Sequence, residues 1–250
     1  MAQRYFIQLN FKGTNFCGWQ KQNNSPSVQS AIEKGLSTLL KQPIEIIGAG
    51  RTDTGVHAKY YIAHFDAPIE IDDEIKFVYQ LNRILPFDIA IQSILKVNNQ
   101  CHARFDAISR SYEYYYVLQK NPFETETSVL LKQKPDLNLM NEACKLLFNY
   151  SDFTSFCKLH SDNKTNICKL TEAFWQQKDE KLIFRISADR FLRNMVRAIV
   201  GTLLLVGYEK INLDEFRSII ELKNRSKAGI SAPAHGLYLI DILYPDKIFQ

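Results

Sequence analysis

The chain contains no Cys-x-x-Cys pair, and its five cysteines (Cys17, Cys101, Cys144, Cys157 and Cys168) are scattered and odd in number. That pattern argues against a disulfide framework and against a zinc site, and suits reduced thiols in a reducing cytosol. Long apolar runs are also missing. The longest, Ala198–Gly207, falls far short of the roughly 20 residues a membrane-spanning helix needs. Met1-Ala2-Gln3-Arg4 lacks the apolar centre of a secretion signal. A soluble, cytoplasmic protein without a membrane partner is expected. Charge of one sign is not in large excess: 31 Lys and Arg against 27 Asp and Glu leave +4, which permits a nucleic-acid partner without demanding one. There is no low-complexity tract, short tandem repeat or Pro/Gly/Ser linker. What is present is an ordinary globular composition, 46% apolar and 23% charged, in a 250-residue chain long enough to need no covalent staple.

Periodicity then divides the chain. Arg4–Phe11 alternates as a strand; Ser25-Pro26 offers an N-cap with proline at the first helical position, followed by the stripe Val28, Ile32, Leu36, Leu39 and Leu40, ending before Pro43. Ile44–Ala49 and residues 60–66 read as strands, Asp72–Leu85 as a helix with Ile75, Val78, Leu81 and Leu85 on one side, and Asp88–Val97 as a strand. The second half has a comparable order. It runs strand Arg110–Gln119, helix Leu137–Phe148, a hairpin of Ile167–Gln176 and Leu182–Ala188 turning at Lys178-Asp179-Glu180, helices Phe191–Val206 and Asp214–Lys223, and strand Gly236–Tyr244. The class predicted is α+β, with two related halves of helices on antiparallel sheet, divided as 1–105 and 106–250.

One loop carries chemistry. Gly48-Ala49-Gly50-Arg51-Thr52-Asp53-Thr54-Gly55-Val56-His57-Ala58 follows a strand and combines turn-forming glycines with an Arg-x-Asp pair. A dinucleotide fingerprint is excluded because Asp53 fills its third glycine position and no helix pattern begins there. An aspartic-protease reading of Asp53-Thr54-Gly55 needs a second carboxylate to share one proton; the chain has no second such triplet, and only a dimer would supply one. As an isolated feature, Asp53 would be read as a turn cap paired with Arg51 on the surface.

The length of the pattern overturns that reading. The eleven residues closely resemble the signature of the TruA family of tRNA pseudouridine synthases, and further motifs follow in family order: Phe16-Cys17-Gly18-Trp19-Gln20-Lys21-Gln22, His102-Ala103-Arg104-Phe105, Arg110-Ser111-Tyr112-Glu113-Tyr114, Asp152-Phe153-Thr154-Ser155-Phe156, Asn194-Met195-Val196-Arg197 and Ala232-Pro233-Ala234-x-Gly236-Leu237. Thr54 departs from the alanine many relatives carry.

The resemblance implies the pseudouridine synthase fold, its two halves forming a central cleft. The chemistry implied detaches uracil from ribose C1′, rotates it and rejoins it through C5, which requires neither metal nor organic cofactor. Asp53 is then the catalytic carboxylate, acting by nucleophilic attack or by removing a ribose proton. Arg197 is the cation that keeps Asp53 charged, against the alternative of a solvated helix arginine. Tyr112 stacks on the target base, although Tyr112–Tyr116 is also ordinary strand sequence. Arg51 fills the vacated stack or holds the adjacent phosphate; Leu237 floors the uracil pocket or is simply core. His57 is taken as structural, and His102 and Arg104 as RNA contacts or braces of the domain junction; His64, His160 and His235 show no metal spacing. Arg190, Arg193 and Arg197, at i, i+3 and i+7, are expected on one basic helix face suited to phosphates. The family further implies tRNA as partner, positions 38 to 40 of the anticodon stem-loop as target, and a homodimer. The rival readings are a catalytically silent RNA-binding protein on the same fold and a pseudouridine synthase with another RNA target.

Overall fold

The computed structural model describes residues 2–159, 161 and 164–248, so His160 lies outside the described residues. The chain forms two compact units, one from the residues up to Ile108 together with those from Leu239 onward, the other from Ser109–Tyr238.

The first unit contains β1 (Gln3–Phe11), α1 (Val28–Leu40), β2 (Ile46–Gly48), β3 (His57–Ala67), α2 (Glu74–Ile84) and β4 (Ile89–Lys96). β1 runs antiparallel between β3 and β4, with Tyr5 opposite Phe65 on one side and Lys96 on the other; β2 adds to β3, Gly48 facing Ala63. Tyr5, Ile7, Leu9, Tyr61 and Phe65 are buried in this sheet, and Ile32, Leu36 and Leu81 are buried on the two helices. A Cβ at Gly35 of α1 would lie 2.8 Å from Leu81 of α2, so glycine lets the two helices approach closely. The expected division at 105/106 placed the chain end in the second half. In the structure the end groups with the first unit: Ile108 donates its backbone N–H to Leu243 (2.8 Å), and the Tyr244 hydroxyl donates to Ala103 (2.5 Å) with its ring edge-on to Phe6.

The second unit contains β5 (Ser109–Val117), β6 (Val129–Leu130), α3 (Leu137–Leu147), β7 (Leu170–Lys178), β8 (Lys181–Ala188), α4 (Met195–Gly207) and α5 (Leu213–Glu221); β9 (Leu237–Leu243) begins at its end. β8 lies antiparallel between β5 and β7, and the two-residue turn Asp179-Glu180 closes the expected hairpin, Asp179 taking φ 54°. Tyr114, Tyr116, Trp175 and Phe184 supply the aromatic centre of the sheet, with Met140, Ile199, Leu203 and Phe216 buried on the helices. Each unit sets helices against antiparallel sheet, as the α+β reading requires.

Three local expectations change. Ser27, not Ser25, caps α1: its Oγ accepts the Ser30 N–H (3.2 Å) while the Ser30 Oγ accepts the Ser27 N–H, a reciprocal box available only from position 27. Pro26 therefore lies outside the helix, where its carbonyl accepts from Cys17. On α2 the buried line is Phe77, Leu81 and Leu85, while Ile75 is 86% exposed. At 3.6 residues per turn, Ile75 and Leu81 stand about 120° apart around the helix. Finally, α4 starts at Met195 rather than Phe191, because Asn194 adopts a left-handed conformation (φ 67°) that ends the preceding turn. Arg190 and Arg193 precede the helix, so the predicted helical face of three arginines does not exist.

Candidate active site

The loop between β2 and β3 is held from both sides by the first unit. Ala49 N–H bonds the Ile62 carbonyl (2.9 Å), and the buried Tyr61 hydroxyl donates to the Gly50 carbonyl. Thr52 Oγ1 accepts the Trp19 N–H (3.1 Å), Gly55 N–H reaches Phe16 (3.3 Å), and Val56 N–H closes a turn onto the Asp53 carbonyl (3.2 Å). The segment 13–19 thus forms the bed on which the Asp53 loop lies. Three glycines make this possible. Gly18, at φ +88°, would place a Cβ 2.2 Å from the Thr52 carbonyl oxygen; one on Gly13 would meet Val56 O at 1.9 Å; one on Gly48 would strike Tyr61 and Trp19. Trp19 stacks on Tyr61 at 4.2 Å, both rings buried, with Phe11 against each. Gly50 differs: a Cβ there would meet nothing within 4 Å.

On this loop Asp53 is half-buried and Arg51 exposed. His57 is 1% exposed, and its Nδ1 accepts the Gly13 N–H (3.0 Å), tying the start of β3 to the bed. Tyr61 and Thr52, which pattern alone places as strand and loop filler, are the side chains that fix the loop backbone. Only their hydrogen bonds reveal this.

Elsewhere in the first unit, His64 Nδ1 accepts the Ala103 N–H (3.1 Å) and His102 Nδ1 accepts from Arg104 (3.1 Å) and Phe105 (3.3 Å). The two rings meet edge-on at 4.7 Å. Burial, then Arg4 and His102, push His64 down to about 4; burial likewise lowers His102. Arg4 grips Asp66 bidentately (2.8 Å each) and reaches the Cys101 carbonyl. His102 therefore organises the 101–106 turn, while Arg104 is exposed over the Phe105 ring at 5.7 Å.

The other predicted site residues belong to the second unit. Tyr112 on β5 is half-buried, its ring edge-on to Phe191 at 5.1 Å. Its neighbours Tyr114 and Tyr116 are fully packed, and burial drives both hydroxyls well above the ordinary tyrosine range. Arg197, in the first turn of α4, donates Nε–H to the Ala232 carbonyl (2.7 Å), and its own carbonyl accepts the Ala232 N–H (3.0 Å). The next carbonyl, Pro233, accepts the Tyr114 hydroxyl (2.7 Å), and Gly236 packs on the Tyr114 ring. Segment 232–236 consequently links Arg197 to β5 and delivers the chain to Leu237, which is 6% exposed at the start of β9. Arg190 and Arg193 flank a turn in which Arg193 O accepts from Lys158. Among the described residues no group of three His, Cys, Asp or Glu side chains is placed to hold a metal, and no helix is long and apolar enough to cross a membrane.

Comparison with known proteins agrees with the motifs. A family model described as tRNA pseudouridine synthase matches residues 8–106 and 143–245. The chain is 53% identical over 247 residues to the tRNA pseudouridine synthase A of Parabacteroides distasonis, spanning 99% of this chain and 98% of that protein. It is 52% identical over 250 residues to the protein of that name from Bacteroides fragilis (100% and 99%), and 41% identical over 240 residues to that of Clostridium acetobutylicum (95% and 98%). With both the bed-and-loop geometry of Asp53 and full-length relatives in hand, the chain belongs to the tRNA pseudouridine synthase family, the TruA family its motifs resemble.

Proposed function

We propose that this protein isomerises uridine to pseudouridine at positions 38 to 40 of the tRNA anticodon stem-loop, as a cytoplasmic homodimer and without metal or organic cofactor. The observation that carries the reading is the Asp53 loop. A carboxylate sits half-buried on a backbone clamped by Trp19, Thr52 and Tyr61, inside a chain matched over almost its whole length by tRNA pseudouridine synthases. A rigidly held carboxylate is what the reaction needs, whether it attacks C1′ or removes a ribose proton, because misplacement of a reacting group by about 1 Å costs up to about 100-fold in rate. Tyr112, Arg51, Arg197 and Leu237 act on the substrate. Tyr112 offers an aromatic face to the extruded base, where stacking contributes on the order of 1–3 kcal/mol. Arg51, exposed beside Asp53, serves the RNA backbone or the vacated stack. The +4 net charge is small, so RNA affinity derives from local basic fields and weakens as salt rises.

The test is tritium release from C5-labelled uridine in anticodon stem-loop RNA. Wild type releases tritium and Asp53→Asn does not, while both bind the RNA. Release undiminished in Asp53→Asn refutes the catalytic assignment. Binding without release by wild type on any tRNA makes the protein a silent RNA binder, and release only from another RNA changes the target.

A further inference from the structure

The guanidinium of Arg197 is placed by a loop, 224–233, which is itself built around a second arginine. Asn224 N–H bonds the buried Ser155 Oγ (2.9 Å), anchoring the start of the loop. Arg225 then reaches forward: Nη1 donates to the Ala228 and Gly229 carbonyls (3.4 and 3.1 Å) and Nη2 to Ser231 Oγ (2.7 Å). Ser231 Oγ also accepts from Asn194 Nδ2 (2.6 Å), the left-handed residue immediately before α4, so both hydroxyl lone pairs are used. The loop meets the helix backbone to backbone. A Cβ on Gly201 would stand 1.8 Å from the Ile230 carbonyl, and Gly229 N–H donates to Thr202 Oγ1 (2.9 Å). Ala232 follows, holding Arg197 through two hydrogen bonds.

Among the described residues Arg225 has no carboxylate partner; it is half-buried and held only on neutral oxygens. A surface charge kept for solubility needs none of this. A planar fork of five donors is what can hold two carbonyls and a hydroxyl in one turn, and a lysine ammonium cannot reproduce it. We propose that Arg225 and Ser231 are positioning residues that set the orientation of the Arg197 guanidinium through Ala232, and thereby the rate of the isomerisation. This rests on the reading of Arg197 as a substrate-site residue. The Arg197 Nε–H is bonded to the Ala232 carbonyl, so a shift of that carbonyl by the loop turns the guanidinium plane and its Nη groups with it.

The experiment uses the full chain with Arg225→Lys and Ser231→Ala, each checked for an unchanged thermal midpoint; if Arg225→Lys does not fold, Ser231→Ala carries the test. The Arg197 Nε–H resonance, assigned by its loss in Arg197→Lys, should shift or broaden in both variants. The single-turnover rate on anticodon stem-loop RNA should fall on the order of 10- to 100-fold with RNA affinity within about twofold of wild type. An unmoved resonance, a wild-type rate, or a loss confined to RNA affinity overturns the proposal. If Arg197→Lys itself reacts at the wild-type rate, the reading of Arg197 fails and the proposal with it. If Asp53→Asn and Arg197→Lys are both impaired while Arg225→Lys and Ser231→Ala are not, only the positioning role falls.

Discussion

Replacing Gly18 by alanine perturbs the bed of the Asp53 loop while leaving every residue of the loop unchanged in identity. The residue has φ +88°, and its new Cβ would lie 2.2 Å from the Thr52 carbonyl oxygen and 3.2 Å from the Asp53 carbonyl carbon. An ordinary carbon–oxygen contact is about 3.3 Å or more, so the two backbones must part by roughly 1 Å. Neither can do so freely: Gly18 O accepts the Val28 N–H at the start of α1, and Trp19 N–H holds Thr52 Oγ1. A non-glycine residue in this region costs about 1–2 kcal/mol and forced overpacking about 1–3 kcal/mol, together roughly 2–5 kcal/mol. For a chain of this size that lowers the thermal midpoint by roughly 4–20 °C. The displacement falls on the backbone of Asp53, so the isomerisation rate should drop up to about 100-fold at temperatures where the variant is fully folded. Gly50→Ala is the matched control in the same loop. Its Cβ meets nothing within 4 Å and its φ is ordinary, so its thermal midpoint should equal or slightly exceed that of wild type. Calorimetry or circular dichroism on the two variants decides the matter. Equal stability of Gly18→Ala and Gly50→Ala would refute the view that close backbone contact, rather than the glycine-rich composition, fixes the loop.

Two further outcomes follow from the same geometry. Tyr61→Phe removes the hydroxyl bonded to the Gly50 carbonyl and should lower stability by about 1–3 kcal/mol in urea titration, with a matching loss of isomerisation rate; an unchanged urea midpoint would deny the hydroxyl its role. His64 is held near 4 by burial and by Arg4, below the ordinary value of 6.5, with Asp66 and Asp106 opposing. In the unfolded chain it protonates first, so its contribution is complete above about pH 6.5 and is lost as pH falls toward 4, with a slope of up to about 1.4 kcal/mol per pH unit. His64→Asn should remove its share of that slope between pH 7 and 4, with His102 and His235, both lowered by burial, contributing to what remains, and an unaltered slope would contradict the assignment.

The sequence by itself determined the α+β class, most strands and helices, and the eleven-residue loop carrying Asp53. These are local or contiguous patterns: alternation on β1, turn chemistry at Asp179-Glu180, and a motif whose members are neighbours in the chain. It misplaced features settled by competition among hydrogen-bonding groups. Ser25 and Ser27 are equivalent as isolated cap residues, and the reciprocal bond to Ser30 chose between them. An arginine spacing of three and four suggested one helical face, but the left-handed Asn194, its amide drawn to Ser231, delays the helix past Arg190 and Arg193. Nothing local in the sequence marks Arg225 as the centre of the loop that holds Arg197. The cap at Ser27 was decided within one turn, but tertiary structure decided the start of α4 and the role of Arg225. A buried donor or acceptor must find its partner wherever the fold supplies one, and that partner was 37 residues away for Asn194 and 119 for Tyr114.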